Sequence, residues 1–114
     1  MGMMACTNAS GQKAKINYRQ IGKGPDLVMV HGLAANCAFW QLELVRSLAE
    51  HYRVTVYDLR GHGYSEMTPS GYRLGEHAED LANLMDGLGI SRAHLVGHSF
   101  GGAVALQFLC LHPH

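Results

Sequence analysis

The stretch that most constrains this chain is Gly97-His98-Ser99-Phe100-Gly101-Gly102. It follows a short aliphatic run, Ala93-His94-Leu95-Val96, and precedes a helix-length one, Ala103 to Leu111, apolar on nearly every face. A run of the first kind reads as a buried strand and one of the second as a buried helix. Ser99 therefore stands at a tight strand-to-helix junction. A serine hydroxyl is a weak nucleophile and must be presented to a base. A sharp turn presents it, and it imposes unfavourable backbone angles on the serine. Gly97 and Gly101, lacking Cβ, let strand and helix approach closely. The helix N-terminus aims backbone N–H groups at the point where negative charge would develop. The same pentapeptide also fits an ordinary glycine-rich turn that happens to contain a serine.

The flanking chain supports the first reading. Lys15 to Ile21 reads as a strand closed by the turn Gly22-Lys23-Gly24-Pro25, and Leu27 to Val30 as a second strand. The second shows no alternation, which implies burial on both faces as in a parallel sheet. Phe39 to Ala49 carries Trp40, Leu44 and Leu48 at helical spacing, and Val54 to Tyr57 is a third strand. Leu74, Ala78, Leu81, Met85 and Leu88 recur with helical period, with Gly89 placed to end that helix. The order β, β, α, β, α, β, α predicts an α/β fold, a mostly parallel sheet with flanking helices joined by right-handed crossovers. Three segments leave strand ends on the carboxyl side: His31–Asn36, Asp58–Ser65 and His98–Gly101. They should converge in one cleft.

Composition narrows the function. The chain has 114 residues, enough for one small domain. Nine Lys and Arg balance nine Asp and Glu, so no basic stripe points to nucleic acid. Residues 1–13 are short, small and polar, and read as a flexible N-terminus without the apolar core of a signal peptide. No run approaches membrane-spanning length. The three cysteines, Cys6, Cys37 and Cys110, are odd in number and widely spaced, which argues for a reducing, cytoplasmic setting rather than a disulfide framework. No zinc-type spacing, dinucleotide fingerprint or phosphate loop is present, so neither metal nor cofactor is expected.

Three motifs in order then carry a resemblance. His31-Gly32 after an apolar strand resembles the HG oxyanion loop of α/β-hydrolases. Asp58-x-Arg60-Gly61-x-Gly63-x-Ser65 is similar to the loop after that family's fourth strand, and Gly97-x-Ser99-x-Gly101-Gly102 to its nucleophile elbow. The spacing fits the branch of serine esterases, lactonases, carbon–carbon bond hydrolases and cofactor-free haloperoxidases. The resemblance covers residues 14–114 as a partial α/β-hydrolase domain with strand order 1-2-4-3-5. It implies Ser99 as nucleophile and the backbone N–H groups of Leu33 and Phe100 as the oxyanion hole. It implies that Asp58 and Arg60 shape the cleft wall, with His62 and Tyr64 in the pocket or on a solvated loop. The implied substrate is a small ester, lactone or related acyl compound, processed through an acyl-enzyme.

The family's triad runs Ser, then Asp or Glu, then His in chain order, and only one helix follows Ser99 here. The eight histidines offer no substitute: His98 adjoins Ser99 but should point away, and His31 belongs to the oxyanion loop. The expectation is an N-terminal half, a truncated product or partial sequence, with triad acid and base beyond residue 114. The strand at Ala93–Gly97 would lie on a bare sheet edge, open to a complementing C-terminal half or to self-association. The alternative is a non-catalytic half-domain or relic that binds a partner chain or an apolar ligand.

Overall fold

The computed structural model describes residues 2–7, 11, 13–32, 42–68 and 72–112. Its elements are β1 (Gly2–Thr7), β2 (Lys13–Ile21), β3 (Asp26–Val30), α1 (Leu42–Ala49), β4 (Arg53–Tyr57), α2 (Leu74–Gly87), β5 (His94–Gly97) and α3 (Phe100–Leu111). The strands form one sheet in the order β1-β2-β4-β3-β5. β3 pairs in parallel with both β4 and β5, whereas β2 runs antiparallel to β1 and β4. Four strands thus share one direction and β2 opposes them.

Residues 2–7, expected to be flexible, instead form β1, registered antiparallel on β2 from Gly2 opposite Tyr18 to Thr7 opposite Lys13. The reason lies in its partners. Cys6 is fully buried in the main core, and Met4 packs against that core. Pairing with β2 and docking of these two side chains order a segment too short to announce itself as a strand.

The unalternating β3 is buried on both faces. Val28 and Val30 join Cys6, Ile16, Tyr57 and Leu59 against Leu81, Leu84 and Met85 of α2 and Val104 of α3. Leu27 and Met29 join Val54 and Val56 against Val45 of α1. So α2 and α3 cover one face and α1 the other. Gly89, at φ 72°, ends α2 as its place after the apolar stripe predicts. β5 lies at the sheet edge, and no strand among the described residues pairs with its outer side.

A buried ion pair fastens these layers. Arg60, fully buried after β4, donates Nε–H to Asp80 Oδ2 at 2.8 Å and Nη2–H to Asp80 Oδ1 at 2.7 Å. Nη2 also reaches the Cys6 carbonyl of β1 at 3.5 Å. One guanidinium thereby links β1, the loop after β4 and α2. The carboxylate beside Arg60 raises its already high pKa, and burial pushes Asp80 up against the pull of Arg60. Arg60, expected to help shape the cleft wall, is fully buried and holds the loop after β4 to α2. Removing one partner leaves a buried charge uncompensated, so Asp80→Ala should lower unfolding stability by about 3–5 kcal/mol. The double replacement Arg60→Met/Asp80→Leu should recover most of that loss. Urea denaturation of both variants checks this; equal losses would contradict it.

Candidate active site

Ser99 sits between β5 and α3 at φ 55° and ψ −117°, and among the described residues it alone, apart from glycines, has positive φ. Its side chain makes no capping bond to the helix and the residue is exposed. Two close approaches enforce the geometry. A Cβ on Gly101 would run into the carbonyl oxygens of Val30 and His31, and one on Gly97 would come within 2.5 Å of Gly102 Cα. The turn is closed by Gly101 N–H donating to His98 O and Gly102 N–H to Ser99 O, both at 2.9 Å, while His98 N–H donates to Val30 O at 3.0 Å. A side chain larger than hydrogen would lift α3 off β5 at Gly97 and off the end of β3 at Gly101. Phe100 is the first residue of α3, so its N–H has no acceptor within the helix. That amide is the donor expected after the nucleophile. The second expected donor, Leu33, lies outside the described residues.

His31, at the end of β3, is fully buried. Its Nε2 accepts the Leu59 N–H at 2.9 Å, which fixes the ring proton on Nδ1, and Nδ1–H donates to Gly32 O at 2.6 Å. Both ring nitrogens are thus used, and burial holds the pKa below the usual imidazole range. His31 is a strut between the segment after β3 and the loop after β4. It is not a base poised for Ser99.

Asp58 is equally structural. Its Oδ2 accepts from Asn17 Nδ2 at 2.8 Å and from the Tyr64 N–H at 2.9 Å. Ser65 Oγ donates to Asp58 O at 2.6 Å and accepts the Asn17 N–H at 2.9 Å. These bonds fold the 58–65 loop back onto β2. Ser65 is therefore a buried brace rather than an open cleft serine. Tyr64 is 85% exposed, which places it on the solvated side of the loop. His62 is half-buried, its ring 5.2 Å from that of His31 and its Nδ1 3.0 Å from Arg60 O.

Sequence reasoning missed Asn17 and Asp80, and it placed His77 in its helix without a role. Asn17 ties β2 to Asp58. Asp80 holds Arg60. His77 lies 1% exposed with its ring edge-on to Phe100, centroids 5.5 Å apart at 84°. Burial first, then the neighbouring His62 and Arg60, push His77 down to about 4. A signal existed in α2: His77 and Asp80 flank the stripe of Ala78, Leu81 and Met85, where a polar residue must be buried. No group of three or more His, Cys, Asp or Glu among the described residues could hold a metal ion.

With the geometry in place, comparison with known proteins is decisive. Residues 25–114 match the model of the alpha/beta hydrolase fold. The chain belongs to the α/β-hydrolase family. It is 40% identical over 100 residues to a putative carbamate hydrolase, RutD, of Pantoea ananatis, across 87% of this chain and 36% of that protein. A thermophilic esterase from Thermogutta terrifontis superposes with a TM-score of 0.89 at 30% identity, over 96% of this chain and 41% of the esterase. An esterase from a Rhodococcus species gives 0.86 at 34% identity, over 98% of this chain and 42% of its own. The chain thus spans about two fifths of the length of these relatives.

If packing forces the angles at Ser99, a residue without Cβ should relax them. Positive φ at a non-glycine costs about 1–3 kcal/mol, and Ser99 is exposed, so no burial is lost. Ser99→Gly should therefore unfold at higher denaturant than Ser99→Ala, by about 1 kcal/mol or more after the entropy cost of glycine. Paired chemical denaturation checks it; an alanine variant as stable as the glycine variant would show an unstrained turn.

Proposed function

We propose that this chain carries the nucleophilic part of a serine hydrolase acting on a small ester, lactone or related acyl substrate. The observation that carries the reading is the exposed Ser99 at φ 55°, wedged between glycines that admit no side chain. Ser99 Oγ attacks the acyl carbon while a base takes its proton. The carbonyl oxygen becomes an oxyanion facing the Phe100 N–H and, as second donor, the Leu33 N–H. Collapse expels the alcohol and leaves an acyl-enzyme, which water cleaves. Ordinary ester chemistry of this kind needs no cofactor. The esterases and the putative carbamate hydrolase similar to this chain support an acyl substrate.

The base and acid belong, in this reading, to the part of the fold that the relatives have beyond the span shared with these residues. The surface that would meet it is present. Among the described residues β5 has an unpaired edge, and α3 turns Leu106, Leu109 and Leu111 outward at 66%, 50% and 46% exposure. That apolar face also favours a second reading, a half-domain that binds a partner chain or an apolar ligand without catalysis. The thiols of Cys6 and Cys110 are unbridged, and no described helix is long and apolar enough to cross a membrane. We place the protein in the cytoplasm on the odd number and wide spacing of its cysteines.

Turnover of p-nitrophenyl acetate separates the readings. The 114 residues alone should stay near background. Supplied with the C-terminal remainder of a related esterase, they should turn over, and Ser99→Ala should cut kcat by about 10⁶. Turnover of about 1 s⁻¹ or more, ordinary for an enzyme, by the 114 residues alone would reveal a base among them. A folded, reconstituted pair without Ser99-dependent turnover would establish the binding reading instead.

A further inference from the structure

The ring of His77 has no assigned work in the chemistry above, yet its place is unusual. It is enclosed by four segments: its own helix, the stretch before α2, the loop after β4 and the start of α3. Tyr72 lies 6.0 Å away ring to ring, and Phe100 meets the imidazole edge-on. Its Nδ1 is buried with no hydrogen-bond partner among the described residues. A buried imidazole nitrogen left unpaired is costly, so its retention calls for an explanation.

We propose that His77 is a positioning residue for the oxyanion donor: its neutral ring wedges Phe100, and with it the first amide of α3, and a proton on that ring releases the wedge. The proposal rests on the reading of the Phe100 N–H as that donor. Phe100 lies next to Ser99, so a shift of its ring moves the amide that faces the reacting carbonyl. The groups facing His77 set the direction of the effect. From the loop after β4 come Arg60, paired with Asp80, and His62; from the end of β3 comes His31; from α2 itself comes Glu76; from the stretch before it comes the Tyr72 phenol; α3 presents Phe100 and no titratable group. Burial first, and then the nearby Arg60 guanidinium, oppose a charge on His77, so it stays neutral at neutral pH. Forced on at lower pH, a proton would create a buried cation beside Arg60 and His62. The relief open to it is movement of the ring toward water, which unseats Phe100.

The sign follows. His77 should gain its proton well below the ordinary imidazole midpoint, and the Phe100 amide should stay in place above it and move below it. The test is a pH titration of the ¹⁵N-labelled chain by NMR, from pH 7.5 down to the onset of acid unfolding. The expected result is a Phe100 amide cross-peak that shifts with the same midpoint as the His77 ring protons and apart from those of His31 and His62. In His77→Phe, which keeps an aromatic wedge, the shift should vanish while the Val28–Val30 amides keep their positions. His77→Gln serves the same purpose should the larger ring disturb packing. A Phe100 amide that stays fixed until the sheet unfolds, follows another histidine, or titrates unchanged in the variants would overturn the proposal. The readout needs no turnover, so loss of the nucleophile reading and loss of this one are separate results.

Discussion

The close approach of α3 to the end of β3 is the constraint on which the rest depends. At Gly101 the helix lies on the Val30 and His31 carbonyls with no room for a Cβ, and this contact sets where the helix begins. The chain must then reverse from strand to helix within His98 and Ser99. Only a positive φ at Ser99 closes that turn, and the turn leaves the hydroxyl outside the helix that follows. Backbone strain, exposure of the nucleophile and the aim of the first α3 amide are therefore consequences of one steric fact. Such strain persists only where surrounding packing over-determines it. Here Val30 and Val104 supply that packing, both fully buried on the face that α3 covers.

The polar residues around the junction brace it and leave the proton transfer of the proposed chemistry to other groups. His31 spends both ring nitrogens joining Gly32 to Leu59. Asp58 and Ser65 fold their loop onto Asn17, and Arg60 locks the same loop to Asp80. Each brace is satisfied by hydrogen bonds inside the core, which is the condition under which buried polar groups rigidify a fold. The result is a stiff frame at the carboxyl ends of β3, β4 and β5, with one serine exposed at its centre.

Much of this could be read from residues alone, and the omissions have physical causes. The elbow was legible because its chemistry demands glycines at fixed offsets from a serine between two apolar runs. The parallel character of the sheet followed from the alternation of strands and helices, and its strand order from the family resemblance alone. β1 was not legible: it is six residues long with no β-branched residue before Thr7, and its stability comes from pairing with β2 and docking Met4 and Cys6 on the core. The ion pair of Arg60 was not legible because its partner, Asp80, is twenty positions on, in a helix whose pattern was judged by its apolar members. Likewise His77 was hidden within the periodicity that identified α2.

The central claim is that packing at Gly101 presents Ser99 as a nucleophile, and covalent labelling tests it most directly. The measurement is fluorophosphonate labelling of the chain completed by the C-terminal remainder of a related esterase, with the adduct located by tandem mass spectrometry. The account predicts a phosphonyl adduct on Ser99 and none on the buried Ser65. It also predicts loss of the adduct in Ser99→Ala, and in Gly101→Val, which lifts α3 from β3. Labelling that persists without Ser99, or a folded pair that takes up no probe, would contradict it.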